Sequence, residues 1–181
     1  MRTLLYSLVS LIATALFVPH PATAQITLNM AQVTCADTQA MMPDQARVFA
    51  AWISGWFNYR WGYTTVGLTD FERNSANVRQ WCINNPRTTV MEGLERSYPQ
   101  PGPLTGQVKV DMSLLTCRQY LGSDAARREM VAAWMSGYFN AAKNRTIFDY
   151  QRHANNVKAV GNFCRKSGNE TLMSAIQKTA R

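Results

Sequence analysis

Residues 50–58 read Ala50-Ala51-Trp52-Ile53-Ser54-Gly55-Trp56-Phe57-Asn58, and this stretch decides how the rest of the chain is interpreted. It recurs 82 positions later, where residues 132–140 read Ala132-Ala133-Trp134-Met135-Ser136-Gly137-Tyr138-Phe139-Asn140. The alignment of residues 34–94 with residues 116–176 needs no gap and contains 15 identities in 61 positions. The chain therefore contains a duplicated unit, and such a repeat decides the architecture before any other feature.

The four cysteines follow the same repeat. Cys35 precedes and Cys82 follows the first copy, Cys117 and Cys164 flank the second copy in the same way, and both pairs are 47 positions apart. Four cysteines allow three connectivities. Because each unit must once have folded alone, the duplication predicts the disulfides Cys35–Cys82 and Cys117–Cys164. The alternatives are a zinc site or catalytic thiols, but the chain lacks the Cys-x-x-Cys spacing that would favour them.

The first 24 residues have the pattern of a secretory signal peptide. Arg2 is a short basic region, residues 4–18 are almost wholly apolar, and Ala22-Thr23-Ala24 is a cleavage site of small residues. A retained membrane anchor is the alternative interpretation. We expect cleavage near Ala24–Gln25 and export out of the cytoplasm, to a compartment in which structural disulfides persist.

Prolines mark the boundary between the two units. Pro99, Pro101 and Pro103 favour an extended linker. The predicted organisation is a signal peptide (1–24), repeat one (25–98), a linker (99–107) and repeat two (108–181), and these names are kept below. Domains of about 70 residues are marginal on core burial alone and need a covalent or oligomeric support.

The charge is divided unevenly. Residues 25–98 carry six basic and six acidic side chains, whereas residues 99–181 carry twelve basic and five acidic ones, an excess of seven. A basic half can indicate binding to nucleic acid or to an anionic membrane. The basic residues here are scattered, which favours a solvated face, and we expect neither a nucleic-acid partner nor a membrane span.

The apolar periodicity predicts an all-α fold of two tandem domains with about four helices each. In repeat one, Pro43 opens a long central helix that reaches about Arg60. Thr69 and Glu72 form a capping box for the next helix. Gly55 weakens the central helix, so its presence predicts close approach of a neighbouring backbone.

The aromatic content exceeds what so small a helical core can easily bury. We expect four of these residues in the core, namely Trp52, Trp81, Trp134 and Phe163. A second apolar set is expected to face the other repeat or a client protein, because large apolar surfaces mark interaction sites. Its members are Ile53, Trp56, Phe57, Tyr59, Trp61, Met135, Tyr138 and Phe139.

The sequence contains no recognisable catalytic motif. It has no Gly-rich phosphate loop, no Gly-x-Ser-x-Gly and no His-Glu-x-x-His. His153 is the one histidine beyond the signal peptide, and Phe71 occupies the equivalent position in repeat one, so we expect His153 on a helix surface. We predict no enzyme activity, no catalytic residues, no metal and no cofactor.

Three short motifs of the chain resemble those of the HdeA/HdeB family of small periplasmic acid-stress chaperones. They are a Thr-Cys pair, an Ala-Trp-x-x-Gly-Trp/Tyr helix and a Val-x-x-x-Cys-x-x-Asn-Pro segment, of which repeat two has the Val-x-x-x-Cys part. In repeat one these are Thr34-Cys35, residues 51–56 and Val78-Arg79-Gln80-Trp81-Cys82-Ile83-Asn84-Asn85-Pro86, and in repeat two Thr116-Cys117, residues 133–138 and residues 160–164. The resemblance covers nearly the whole mature chain, twice.

Members of that family are four-helix, one-disulfide proteins that pair as dimers at neutral pH and expose apolar surface in acid. The resemblance therefore implies an acid-stress chaperone that binds unfolded or acid-denatured proteins. It also implies pairing, either between the two repeats of one chain or in a homodimer. The alternative is a periplasmic interaction or immunity-type protein that binds one specific partner and has no acid switch.

Overall fold

The computed structural model describes residues 27–97 and 102–180. Repeat one contains β1 (Thr27–Asn29), α1 (Cys35–Ala40), α2 (Pro43–Trp61), β2 (Thr65–Gly67), α3 (Leu68–Asn84) and α4 (Val90–Ser97). Repeat two contains β3 (Lys109–Asp111), α5 (Cys117–Gly122), α6 (Ala125–Ala141), β4 (Ile147–Asp149), α7 (Tyr150–Lys166) and α8 (Leu172–Thr179). The predicted signal peptide, its cleavage site and the first part of the linker lie outside the described residues.

Both repeats start their first helix in the same way. Thr34 caps α1 and Thr116 caps α5, each threonine hydroxyl accepting from the N–H of the third helical residue. That residue's side chain in turn accepts from the threonine N–H, which completes a capping box. The cysteine after each threonine is thereby held at the first turn of its helix.

The disulfides lie within the repeats, as the duplication predicts. Cys35 is bonded to Cys82 and Cys117 to Cys164, with S–S distances of 2.03 and 2.05 Å. Each bond joins the first helix of its repeat to the end of the third. The all-α prediction of two tandem four-helix units, each with one disulfide, is confirmed.

Four short strands were not predicted, and they pair between the repeats. β1 pairs antiparallel with β4, and β2 pairs antiparallel with β3. The 82-residue offset relates β1 to β3 and β2 to β4, so the two ribbons are equivalent contacts of a pseudo-symmetric pair. A strand of three residues gives little sequence signal, because its partner comes from the other repeat.

The buried side chains of both repeats form one continuous core. It includes residues of both central helices, and its largest fully buried members are Trp52, Met135 and Leu172. Each repeat therefore stabilises the other, which supplies the support that a unit of about 70 residues needs.

The start of α3 differs from the prediction. The helix begins at Leu68, and Gly67 precedes it without a side-chain cap. The N–H of Leu68 donates instead to the carbonyl of Val108, 3.0 Å away, because β2 leads directly from its pairing with β3 into the helix. The predicted capping box of Thr69 and Glu72 is wrong, and Asp70 between them has another role.

Candidate functional site: the crossing of the central helices

The two repeats meet where α2 crosses α6, and two glycines allow the approach. A β-carbon added to Gly55 would lie 2.0 Å from the carbonyl oxygen of Trp134. One added to Gly137 would lie 1.9 Å from the carbonyl oxygen of Trp52. Only glycine lets two backbones come this close. The close approach expected at Gly55 is confirmed, and its neighbour is the equivalent helix of the other repeat.

Aromatic rings surround the crossing on both helices. Trp52 stacks on Trp56 with ring centroids 5.3 Å apart, and Trp134 stacks on Tyr138 at 5.1 Å. Tyr59 contacts Tyr138 edge-on across the two repeats, also at 5.1 Å. Trp52 and Trp134 are 0% and 3% exposed. The closed molecule therefore hides a large aromatic surface between its repeats.

Three indole N–H groups at this crossing are buried without a protein acceptor among the described residues. They belong to Trp52, Trp56 and Trp134. A buried donor without a partner costs about 1–3 kcal/mol. Water could hydrate these groups if the helices separated, so they offset part of the free energy that apolar burial contributes to the closed state.

The predicted interaction residues divide between two places. Trp56, Tyr59 and Tyr138 lie at the crossing. Ile53 and Phe57, which were expected on the same surface, line a cavity of 330 Å³ in repeat one instead. They are two residues from Gly55, which is about 200° around a helix, so their side chains point away from α6. They pack on their own repeat.

Repeat two has a cavity at the equivalent position. It has a volume of 970 Å³, and Met135 and Phe139 line it in place of Ile53 and Phe57. These two residues therefore also face their own repeat. Each repeat thus has a cavity beside its central helix, on the side away from the crossing.

The remaining predicted residues have mixed environments. Trp61 is half-buried and contacts Phe57, with ring centroids 5.3 Å apart. Of the predicted core residues, Trp52 and Trp134 are buried, whereas Trp81 and Phe163 are half-buried and pack against the core.

His153 is not the surface residue that was expected. It is half-buried in the cavity of repeat two, and its ring lies 4.9 Å from that of Phe148. Burial lowers the pKa of its imidazole. The equivalent residue of repeat one, Phe71, lines the cavity of that repeat. Its apolar side chain was the sequence signal that position 153 faces inward.

Asp70 is a functional candidate that sequence reasoning missed. Its side chain is buried, 4% exposed, and its Oδ2 accepts from the N–H groups of Thr105 and Gly106, both at 3.1 Å. Its Oδ1 accepts from the Thr105 hydroxyl at 2.8 Å and from Arg73. These bonds, chiefly those from Gly106 and Thr105, lower the pKa of Asp70 to about 2. The equivalent residue in repeat two is Arg152, a contrast that could have marked the position.

A second carboxylate, that of Asp111, lies where β3 of repeat two pairs with β2 of repeat one. Asp111 of β3 accepts from the Ser113 hydroxyl at 2.6 Å and the Ser113 N–H at 2.9 Å. A further hydrogen bond from the Thr64 side chain reaches it from repeat one, and together these bonds lower its pKa. The two carboxylates therefore bind repeat one to the segment that follows it, Asp70 through the linker and Asp111 through Thr64.

The model of the HdeA/HdeB family matches residues 3–92 and again residues 95–174. The chain belongs to the HdeA/HdeB family. The suspected tandem duplication of such units is confirmed, and no curated protein or solved structure gives a significant match.

The HdeA/HdeB family consists of non-enzymatic periplasmic chaperones of acid stress. In this family member, none of the helices in the described ranges is long and apolar enough to cross a bilayer. The same ranges contain no group of three or more residues that could hold a metal ion.

Proposed function

We propose that this HdeA/HdeB-family chain is an exported acid-stress chaperone whose paired unit is formed by the two repeats of one chain. At neutral pH the repeats are closed on each other. In acid they loosen and present apolar surface that binds unfolded proteins, and no reaction is catalysed. The observation that carries the proposal is the crossing at Gly55 and Gly137, which buries the aromatic faces of both central helices.

The acid response follows from the carboxylates. Asp70 and Asp111 have pKa values below the ordinary value near 3.8 because they accept hydrogen bonds in the folded chain. A group whose folded pKa is depressed contributes stability above its unfolded pKa and loses it as pH falls through the folded value. For Asp70 this window extends from about pH 4 to about pH 2.

Charge repulsion acts over the same window. The mature chain from Gln25 has 18 basic and 11 acidic side chains, so its net charge is +7 near neutral pH. Protonation of the acids and His153 raises it to +19. Because both disulfides persist in acid, the expected product is a loosened helical state and not an extended chain.

The test measures surface exposure and client protection on one sample across pH. The mature chain is titrated from pH 7 to pH 2 with Nile red, an uncharged apolar dye that the growing positive charge does not attract. Light scattering of an acid-denatured dehydrogenase is followed in parallel. We expect dye fluorescence to rise reversibly below about pH 4 and scattering to fall over the same range.

The immunity-type alternative makes the opposite prediction. A chain that binds no dye and does not reduce scattering down to about pH 2, below the ordinary carboxyl range, would contradict the chaperone proposal. The alternative would then be favoured, and a tight complex with one partner at neutral pH would be expected.

A further inference from the structure

The cavity of repeat one is covered on one side by the chain's own linker. Gly102, Pro103 and Leu104 form part of its wall, and Leu104 is half-buried there. The rest of the wall is mostly apolar and comes chiefly from α2, α3 and α4, with β2 and Thr38 of α1 beside them. Its main apolar members are Phe49, Ile53, Phe57, Phe71, Val78 and Leu94. A segment of polypeptide thus already occupies the rim of an apolar cavity.

The covering segment is fastened next to the cavity by Asp70. The carboxylate accepts both backbone N–H groups of Thr105 and Gly106, the two residues that follow Leu104. Gly106 also packs against Thr69, where an added β-carbon would lie 3.1 Å from the Thr69 Cβ. The hydrogen bonds fix the backbone directly after the covering residues, so their loss would free the cover.

Repeat two offers an internal comparison. At the positions of Asp70 and Phe71 it has Arg152 and His153, and both residues line its cavity. Arginine cannot accept hydrogen bonds from a backbone, so Arg152 does not repeat this contact in the cavity of repeat two. Its volume is 970 Å³ against 330 Å³ in repeat one. Among the described residues, a carboxylate at this position that binds a backbone segment beside the cavity is found in repeat one.

We propose that the cavity of repeat one is a binding site for apolar side chains of an unfolded polypeptide, autoinhibited by residues 102–104 and opened when Asp70 is protonated. The inference rests on the proposed chaperone function and adds to it a site separate from the crossing. An unfolded polypeptide is the expected occupant because a short segment of polypeptide, which presents Leu104, now covers the site.

Protonation weakens the fastening because it removes the negative charge that the donors around both carboxylate oxygens face. Oδ2 faces two backbone N–H groups, and Oδ1 faces the Thr105 hydroxyl and Arg73. A proton on Oδ2 would meet two N–H donors, and a proton on Oδ1 would leave Oδ2 as a neutral carbonyl that accepts more weakly. Of the charged groups on the surrounding elements, Arg73 contacts Asp70, and Lys109 of β3 is paired in register with Gly67, which packs on Asp70. Both are cations and favour the ionised form.

The decisive variant is Asp70→Asn in the full mature chain at neutral pH. Its amide group has the same shape but turns one acceptor into a donor, so it imitates the protonated acid. We expect amide exchange of Thr105 and Gly106 to become about tenfold faster, as for loss of a charge-assisted hydrogen bond. Nile red should bind at pH 7.

The matched control is Asp44→Asn. Asp44 also pairs with an arginine three residues later, Arg47, but it is exposed and far from the linker in sequence. This variant should bind no dye at pH 7. The double variant Asp70→Asn/Phe71→His, which gives the cavity the residue found in repeat two, should lose most of the dye binding that Asp70→Asn gains.

The unmodified chain provides a second measurement if Asp70→Asn fails to fold. The protection of the Thr105 and Gly106 amides should be lost together with the titration of the Asp70 carboxyl, as followed by NMR. Amides that stay protected after Asp70 is protonated would overturn the inference, and so would a folded Asp70→Asn variant with no dye binding. Neither result depends on client scattering, so they distinguish this inference from the chaperone proposal.

Discussion

Gly55 of α2 lies directly against the backbone carbonyl of Trp134 in α6, so that a β-carbon on Gly55 would come within 2.0 Å of that oxygen. Gly137 has the same relationship to Trp52 at 1.9 Å. The obstacle in both cases is backbone, which cannot turn aside as a flexible side chain could. The two repeats are consequently paired by a contact that tolerates no side chain at either glycine.

Gly55→Ala should therefore destabilise the closed molecule by about 2–3 kcal/mol, the upper part of the range for overpacking. The measurement is urea unfolding of the mature chain at neutral pH. Gly122→Ala is the control, because an added β-carbon there meets no atom within 4 Å. A change at Gly55 no larger than at Gly122 would show that the helices do not cross as closely as described.

Removal of either disulfide should cost a similar free energy of unfolding. Cys35→Ser/Cys82→Ser and Cys117→Ser/Cys164→Ser each open a loop of the same length, for which chain entropy predicts about 4 kcal/mol. Urea unfolding of the two double variants checks the magnitude. Peptide mapping of the oxidised chain checks the pairing, and a Cys35–Cys117 peptide would contradict it.

Ile53→Asp should unfold repeat one and not merely separate the repeats. Ile53 is 4% exposed and lines the cavity of its own repeat, where an ionised carboxylate has no partner. Amide exchange resolved by repeat is the measurement, with loss of protection expected first in α3 and α4. Tyr59→Asp is a useful comparison, because Tyr59 is 38% exposed at the crossing. If Ile53→Asp opened the crossing while α3 and α4 stayed protected, Ile53 would belong to the interface between the repeats, as the sequence predicted.

The stability of the chain should fall steeply as pH drops from about 4 to about 2. The pKa values of Asp37, Asp70, Asp111, Asp124 and Glu170 are all lowered by hydrogen bonds in the folded state. Their stabilisation is fully present above the unfolded pKa and disappears as each is protonated. Urea midpoints measured against pH test this. Asp70→Asn should flatten the acid end of the profile.

Much of the fold could be predicted from the sequence because the duplication is visible as a constant spacing between equivalent residues. The offset of 82 predicted the disulfide partners, the apolar periodicity predicted about four helices per unit, and three short motifs indicated the family. Gly55 could also be understood, since a glycine inside a strongly apolar helix has a cost that a close contact must offset. The domain boundaries at residues 98 and 107 stay predictions.

The face assignments of α2 could not be obtained in this way. Ile53 and Trp56 are both apolar, and periodicity does not state which stripe meets the partner repeat and which meets the repeat's own α3. The cross-repeat strands were hidden for a related reason, because residues 27–29 find their partner 120 positions later at residues 147–149. Pairing over such distances depends on the complete fold.

The sequence by itself determined the local and the repeated features: the helices, the cysteine pairs and the family. These follow from residue type and spacing within one unit. The tertiary structure alone decided that Gly55 meets Trp134, that the strands exchange between repeats, and that Asp70 binds the linker. Each of these is a contact between segments distant in the chain, and its free energy exists only once both repeats are folded together.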